Sequence, residues 1–225
     1  MKNSAIWAGA LLCAIFASQT VSAASVTQCG PTICYTYDDA QAAVGLYGTP
    51  TLSGDLLRFL PQNFRAQSDD GVGVVSTSAS FFFDNVYSVS GDAIEKIMIH
   101  EFGDYEITNG DRVSDLLTLD AENNLGAGTA SESELFNASG GSTGLQGWSI
   151  DNTLSVDSEF LSNSLSLTVT NLLEAETGEV GETAWIQKKV EIQAISITAV
   201  PLPAGAWLML SALGALGGIM RRNKA

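Results

Sequence analysis

The sequence predicts an all-β protein: a single jelly-roll-like β-sandwich flanked by an N-terminal signal helix and a C-terminal transmembrane helix. Three observations predict it, namely period-two alternation, closely spaced turn clusters, and apolar runs confined to the two ends. Leu165, Leu167 and Val169 alternate with serine and threonine over residues 164–170. That alternation is typical of a strand with one buried face.

Other segments repeat this pattern. Ile97 and Ile99 share one face of a predicted strand, opposite Met98 and His100, and residues 81–83 are three consecutive phenylalanines. Clusters rich in glycine, serine, asparagine and aspartate separate the strands, at residues 68–71, 90–92, 109–111 and 140–144. Short strands with such turns between them favour a sandwich.

Three segments depart from plain alternation. Residues 38–44 predict a short helix, and the phase slip before Ile195 predicts a bulge in the closing strand. Residues 121–147 are small, polar and glycine-rich, which predicts a long flexible excursion and a candidate binding loop.

The C-terminus carries a motif, an apolar run and a basic end. Two prolines keep residues 200–204 extended, and residues 205–220 contain no charge and no proline. As a helix, that run would be about 24 Å long, short for a bilayer core of about 30 Å but within reach of local thinning. Arg221, Arg222 and Lys224 follow it, which places this end in the cytoplasm by the positive-inside rule. A buried C-terminal helix is the alternative.

This arrangement resembles the VPLPA variant of the PEP-CTERM sorting signals, which exosortases process. The motif residues are Val200, Pro201, Leu202, Pro203 and Ala204. The resemblance covers about the last tenth of the chain and says nothing about the activity of the preceding domain. It implies a Gram-negative bacterium, export to the cell surface, and cleavage near the motif by an exosortase-type membrane protease after transient insertion in the inner membrane.

The N-terminus agrees with export. Lys2 precedes an apolar run at residues 5–17, and Ala23 ends a small-residue site for signal peptidase. The predicted division is therefore a signal peptide at 1–23, a sandwich domain at 24–199, and the sorting motif, transmembrane helix and basic tail at 200–225.

The mature span is strongly acidic. It keeps all 25 acidic residues but only six of the ten basic ones, so its formal charge is −19 rather than −15. Such a surface repels nucleic acid and anionic lipid. Solubility is its simplest explanation, and collection of divalent cations is another.

Cys29 and Cys34 flank a glycine-proline turn. In an oxidising compartment we predict a local disulfide between them. A metal site would need more soft ligands, and a redox pair usually has two residues between its cysteines.

No catalytic constellation emerges, so we predict no enzyme activity. His100 is the only histidine, and the Gly-x-Ser-x-Gly elbow of a serine hydrolase is missing. We predict no metal or other cofactor, with Ca²⁺ as a minority alternative. The carboxylates near turns that could bind it are Asp69, Asp70, Asp104, Asp111 and Asp115.

Trp148 and Trp185 are the speculative glycan contacts, although aromatic residues at such positions also pack half-buried. The predicted function is an exported, non-catalytic cell-surface or extracellular-matrix protein, with association to exopolysaccharide or biofilm as one option. The alternative is a secreted polysaccharide hydrolase or lyase on a β-sandwich, acting through two carboxylates in a groove beside an aromatic ring.

Overall fold

The computed structural model describes residues 24–141, 143–156, 160 and 162–188, together with the backbone of 193–200. The first half of the described chain contains β1 (Ser25–Cys29), β2 (Ile33–Asp38), α1 (Val44–Tyr47), β3 (Thr51–Ser53), β4 (Leu56–Phe59), β5 (Arg65–Asp69), β6 (Gly73–Ser88) and β7 (Ala93–Thr108). The second half contains β8 (Arg112–Asn123), β9 (Thr129–Ser139), β10 (Gln146–Ser155), β11 (Ser164–Thr177), β12 (Thr183–Lys188) and β13 (Gln193–Val200).

These strands form two antiparallel sheets. Sheet A has the order β1-β2-β6-β11-β8-β9. Sheet B is built around β7, which pairs with β10 along one edge and with β12 and then β13 along the other. Strand β5 continues the sheet beyond β12, and β4 and β3 continue it beyond β13. The predicted all-β, sandwich-like fold is confirmed at this level.

The core lies between the two sheets and is rich in aromatic rings. Phe81 packs against Phe59 and Phe83, with ring centroids 4.9 Å away in both cases. Tyr37 and Tyr47 complete the cluster from β2 and α1. The period-two expectation is confirmed here, because the alternating residues predicted to be internal on β7 and β11 are buried: Ile97, Ile99, Leu165, Leu167 and Val169.

The flexible excursion predicted over residues 121–147 is wrong. Strand β8 runs to Asn123, and β9 then pairs with it from Glu122↔Thr129 to Arg112↔Ser139. Most of β9 is exposed on both faces, so its sequence lacks the apolar alternation that would have revealed a strand. Glu132 and Glu134 lie on it, and charged side chains are a common protection for a strand at a sheet edge.

Two smaller expectations are corrected. The helix is Val44–Tyr47 rather than 38–44. The Asp38 carboxylate accepts a hydrogen bond from the Ala40 amide at 2.8 Å, which favours a turn over a helix at that point. In β13 the register shift lies between Thr198 and Ala199, a few residues later than the predicted bulge.

Candidate functional site

The outer face of sheet A is lined by hydroxyl groups. One row across four neighbouring strands consists of Ser80, Thr170, Thr118 and Ser133. Hydrogen bonds of 2.9 Å join Ser80 to Thr170 and Thr118 to Ser133. Because these groups are ordered in pairs, the face presents a regular array of donors and acceptors to solvent.

A groove lies beside this row, and we call it the Phe82 groove. Its volume is about 280 Å³, and its lining is Phe82, Asp120, Ala121, Glu122, Thr129, Ala130, Ser131, Ser166 and Thr168. The Phe82 side chain is 44% exposed, although its neighbours Phe81 and Phe83 are buried. The groove therefore combines an open aromatic ring with carboxylates and hydroxyls.

The chemistry of the Phe82 groove suits an uncharged polyol. An exposed ring offers an apolar face to the C–H groups of a sugar. Carboxylates accept hydrogen bonds from the hydroxyl groups of the sugar, and protein hydroxyls both donate to them and accept from them. Within the protein, the Ser131 hydroxyl donates a hydrogen bond to Asp120 Oδ1 at 2.6 Å, and this bond orients the carboxylate. The lining contains no lysine or arginine, so an anionic ligand would meet two uncompensated carboxylates.

Asp120 and Glu122 also raise the question of catalysis. They are two residues apart on one strand, so their Cα atoms are separated by roughly 7 Å. Both are exposed to solvent. The two carboxylates can accept hydrogen bonds from a ligand that lies on this face of the sheet.

A second unusual site lies in the core, and we call it the interior charged cluster. It consists of Glu101 on β7, Asp115 on β8, Asn171 on β11 and Lys188 on β12, all buried. Each occupies an inward position that continues an apolar series, as Glu101 does after Ile97 and Ile99. Two of the strands belong to sheet A and two to sheet B, so the cluster bridges the sandwich.

Hydrogen bonds connect the whole cluster. The Lys188 Nζ donates to Glu101 Oε2 at 2.5 Å and to Asp115 Oδ2 at 3.2 Å. Asn171 Nδ2 donates to the same Glu101 oxygen at 2.8 Å, and Tyr47 Oη donates to Asn171 Oδ1 at 2.6 Å. Glu101 Oε1 and Asp115 Oδ1 are buried and have no hydrogen-bond partner among the described residues.

Aromatic rings cover the lysine. Its Nζ lies 5.3 Å from the centre of the Trp148 ring and 5.5 Å from that of Phe64. Gly103 makes room for the tryptophan, since a Cβ there would lie 2.7 Å from the indole nitrogen and 2.0 Å from the Gln187 carbonyl oxygen. The rings exclude water and strengthen every charge interaction inside the cluster.

The charges of the cluster do not balance, because one ammonium group faces two carboxylates. Burial raises the pKa of Asp115 from 3.8 to about 7; the charge of Lys188 opposes this rise, and that of Glu101 adds to it. Burial, followed by the charges of Glu101 and Asp115, also raises the pKa of Tyr47 well above its usual value. Near neutral pH, Asp115 therefore holds its proton far more readily than an exposed aspartate does.

The structure separates the predicted site residues. Cys29 and Cys34 are joined by a disulfide in the β1–β2 hairpin at the edge of sheet A. Trp148 is only 5% exposed, so the glycan contact considered for it is wrong: its ring is part of the core. Trp185 is half-buried beneath the guanidinium group of Arg65, which lies 4.4 Å from its ring centre.

The carboxylates considered for calcium do not come together. Asp115 is in the core, Asp69 accepts hydrogen bonds from Gln67, and Asp70 accepts one from the Gly181 amide. Within the part of the chain that the structure describes, no group of three or more histidine, cysteine or acidic side chains is arranged to hold a metal ion.

His100 lies on the outer side of sheet B. Its Nδ1 is 2.6 Å from the carboxylate of Asp151, and both side chains are exposed. The ring also contacts Phe102. This agrees with the prediction of an exposed strand histidine.

The remaining predicted residues are terminal. Val200 ends β13, where it pairs with Ala93. The other sorting-motif residues, the basic tail and the signal peptide lie outside the described residues. Among the helices of the described part, none has the length and apolar character needed to cross a bilayer.

Sequence reasoning missed the interior charged cluster, and it approached the Phe82 groove only through the predicted binding segment 121–147, which supplies Ala121, Glu122, Thr129, Ala130 and Ser131 to the lining. The signal for the interior charged cluster is a polar residue at the next inward position of an apolar series, as Asn171 is after Leu167 and Val169. The Phe82 groove has no comparable signal, because its lining comes from four strands that only the sheet order makes neighbours. Comparisons of the chain with protein-family models, with curated proteins and with solved structures found no match.

Proposed function

We propose that this protein is an exported, non-catalytic component of the cell surface or extracellular matrix that associates with exopolysaccharide through the Phe82 groove. The sorting signal at residues 200–225 and the signal peptide at 1–23 support export, processing by signal peptidase and an exosortase, and a membrane-anchored precursor. A role in the polysaccharide layer or biofilm follows from that route and from the groove.

One structural observation carries the polysaccharide assignment. The Phe82 ring is exposed beside two carboxylates and a set of ordered hydroxyls, on the outer face of a sheet rather than in a closed pocket. An open face allows a long chain to lie across it and continue past both sides. The hydroxyl row of Ser80, Thr170, Thr118 and Ser133 extends the same surface.

The proposal includes a jelly-roll topology for the sandwich. The eight strands from β5 to β12 support it. In sheet B the neighbours are β5-β12-β7-β10, and in sheet A they are β6-β11-β8-β9. Two Greek keys folded over each other produce this alternation between sheets. The remaining strands then extend the two sheets at their edges.

The export route predicts a specific processed species. Protein recovered from the native cell surface is expected to begin near Ala24 and to end near the motif at residues 200–204. Intact mass spectrometry measures both ends, and a strain lacking its exosortase provides the control. If the basic tail remains on the surface protein in both strains, the protein is a tethered periplasmic domain and the matrix assignment is wrong.

The groove predicts a loss of binding on removal of its ring. Phe82→Ala is expected to weaken polysaccharide binding about five- to tenfold, because a stacked ring contributes roughly 1 kcal/mol or more beyond its buried area. The probes are dextran, a soluble β-glucan and exopolysaccharide purified from the producing cells, each cast into affinity gels. Leu135→Ala is the matched control, since Leu135 is an exposed apolar residue of the same sheet that does not line the groove. Equal retardation of both variants and the unchanged protein would contradict the assignment.

Because the Phe82 groove contains two carboxylates, a second candidate function is tested as well: a polysaccharide hydrolase or lyase. The same polysaccharides are incubated with the protein and assayed for new reducing ends and for unsaturated sugars. Release that disappears in Asp120→Asn and Glu122→Gln would establish the enzyme and overturn the non-catalytic assignment.

A further inference from the structure

The interior charged cluster places an amine against a carboxyl group in the buried core. The Lys188 Nζ is 3.2 Å from Asp115 Oδ2, and both side chains are 0% exposed. Glu101 Oε2 accepts a hydrogen bond from the same nitrogen. Each carboxylate keeps one buried oxygen without a hydrogen-bond partner among the described residues. As an ion pair this arrangement is costly, because two carboxylates are desolvated for one cation.

We propose that Lys188 and Asp115 are joined in the mature protein by an intramolecular amide bond between Lys188 Nζ and Asp115 Cγ, with Glu101 as the proton carrier. The bond forms after folding has brought the two sheets together. It requires no oxidant, nucleotide or metal, because the condensation releases only water.

The condensation conserves atoms and charge. The starting cluster holds the Lys188 ammonium, the Glu101 carboxylate and the Asp115 carboxylic acid. Glu101 takes one proton from the ammonium, and the resulting amine attacks Asp115 Cγ to give a tetrahedral intermediate. A second nitrogen proton is carried to the Asp115 hydroxyl, which leaves as water. The products are the amide, one water molecule and protonated Glu101.

The surroundings favour each step. A buried carboxyl group that retains its proton is a better electrophile than a carboxylate, and a pKa of about 7 leaves a large fraction of Asp115 protonated near neutral pH. Fixed proximity replaces a bimolecular encounter. The Phe64 and Trp148 rings exclude the water that would otherwise compete as a nucleophile.

Asn171 and Tyr47 act as positioning residues. The Asn171 amide donates to Glu101 Oε2, and its own oxygen is held by the Tyr47 hydroxyl. These contacts hold the Glu101 carboxylate in place beside the Lys188 amine. Once the amide forms, the cluster no longer contains a buried ion pair, because Lys188 and Asp115 share an uncharged amide and Glu101 is protonated.

The bond would link the two sheets covalently. Asp115 lies on β8 of sheet A and Lys188 on β12 of sheet B, 73 residues apart in sequence. The Cys29–Cys34 disulfide, in contrast, closes only a short hairpin at an edge. The cluster lies in the core and shares no residue with the Phe82 groove, so the bond is independent of the proposed function.

The test is mass spectrometry of the full folded protein. We expect a mass lower by about 18 Da, one water, than its sequence and mapped termini require. Proteolysis should yield a branched peptide that links Lys188 to Asp115. The full unlinked mass, or a water loss located at any other pair, would overturn the proposal.

Variants test the roles within the cluster. Glu101→Gln keeps the size of the side chain and one acceptor oxygen but accepts no proton, so linked product should fall at least tenfold in protein that remains folded by circular dichroism. Lys96→Ala and Asp84→Ala, which remove a lysine and an exposed aspartate outside the cluster, should leave linkage complete. Full linkage in folded Glu101→Gln would overturn the role of Glu101 as proton carrier.

Discussion

Replacing Lys188 with methionine is expected to lower the free energy of unfolding by about 3–5 kcal/mol. The substitution keeps a similar volume beside the Phe64 and Trp148 rings but removes the cation that both carboxylates contact. Glu101 and Asp115 then remain buried without a partner of opposite charge. Denaturant unfolding at pH 8 measures the loss. If Lys188 is bonded to Asp115, the variant loses that covalent bond between the sheets instead of the ion pair.

The effect of Lys188→Met should depend on pH in a defined direction. In protein whose Lys188 and Asp115 are not bonded to each other, the pKa of Asp115 is already raised by folding, and removal of the lysine removes the charge that opposes this rise. A group whose pKa is higher in the folded than in the unfolded state stabilises the fold at low pH, and this contribution is lost as the pH rises through the folded value. The deficit of the variant should therefore be largest above pH 7 and smaller near pH 5.

Two controls accompany this measurement. Lys96→Met removes a lysine from β7 outside the cluster and should change stability by less than about 1 kcal/mol. Combining Lys188→Met with Asp115→Leu and Glu101→Leu should recover part of the loss, because an apolar core avoids the desolvation of charges. A Lys188→Met protein within 1 kcal/mol of the unchanged one at pH 8 would show that the cluster is not an essential part of the core.

Phe81→Ala is expected to cost about 3–5 kcal/mol, the range for truncating a large buried aromatic side chain. Phe81 is 0% exposed, and its ring contacts those of Tyr37, Tyr47, Phe59 and Phe83. These rings come from both sheets and from α1, so the cavity left by alanine cannot collapse by moving one element. Thermal and denaturant unfolding measure the effect.

The adjacent residue supplies the matched control. Phe82→Ala removes the same side chain one position along β6, where it points to the outer face of sheet A and is 44% exposed. It should cost less than about 1 kcal/mol, because little buried area is lost. Similar losses for the two variants would mean that the alternation of β6 is not the one described.

Much of the architecture could be predicted because a strand buries alternate side chains. The alternation of Leu165, Leu167 and Val169 identified both β11 and its inward face. The same rule failed for β9, which lies at an edge and is exposed on both faces, so its sequence is as polar as a loop. Its pairing with β8 depends on backbone hydrogen bonds, which leave no trace in side-chain polarity.

The two sites differ in how far they could be anticipated. An acidic or basic residue at an inward position, such as Glu101 after Ile99, conflicts with its own strand pattern and can be noticed. The partners of Glu101 cannot be anticipated in this way, because Asp115 and Lys188 are far away in sequence and meet only when sheet A packs on sheet B. Trp148 shows the same limit, since only Gly103 on the neighbouring strand makes room for its ring.

By itself, the sequence determined the β character of the domain, the inward faces of its regular strands and the expectation of export, because these depend on local patterns along the chain. Only the tertiary structure decided which strands are neighbours, and with that the Phe82 groove and the interior charged cluster. Both sites depend on residues from different strands. Strand order follows from how two half-buried sheets cover each other, and that packing is a property of the whole chain rather than of any one segment.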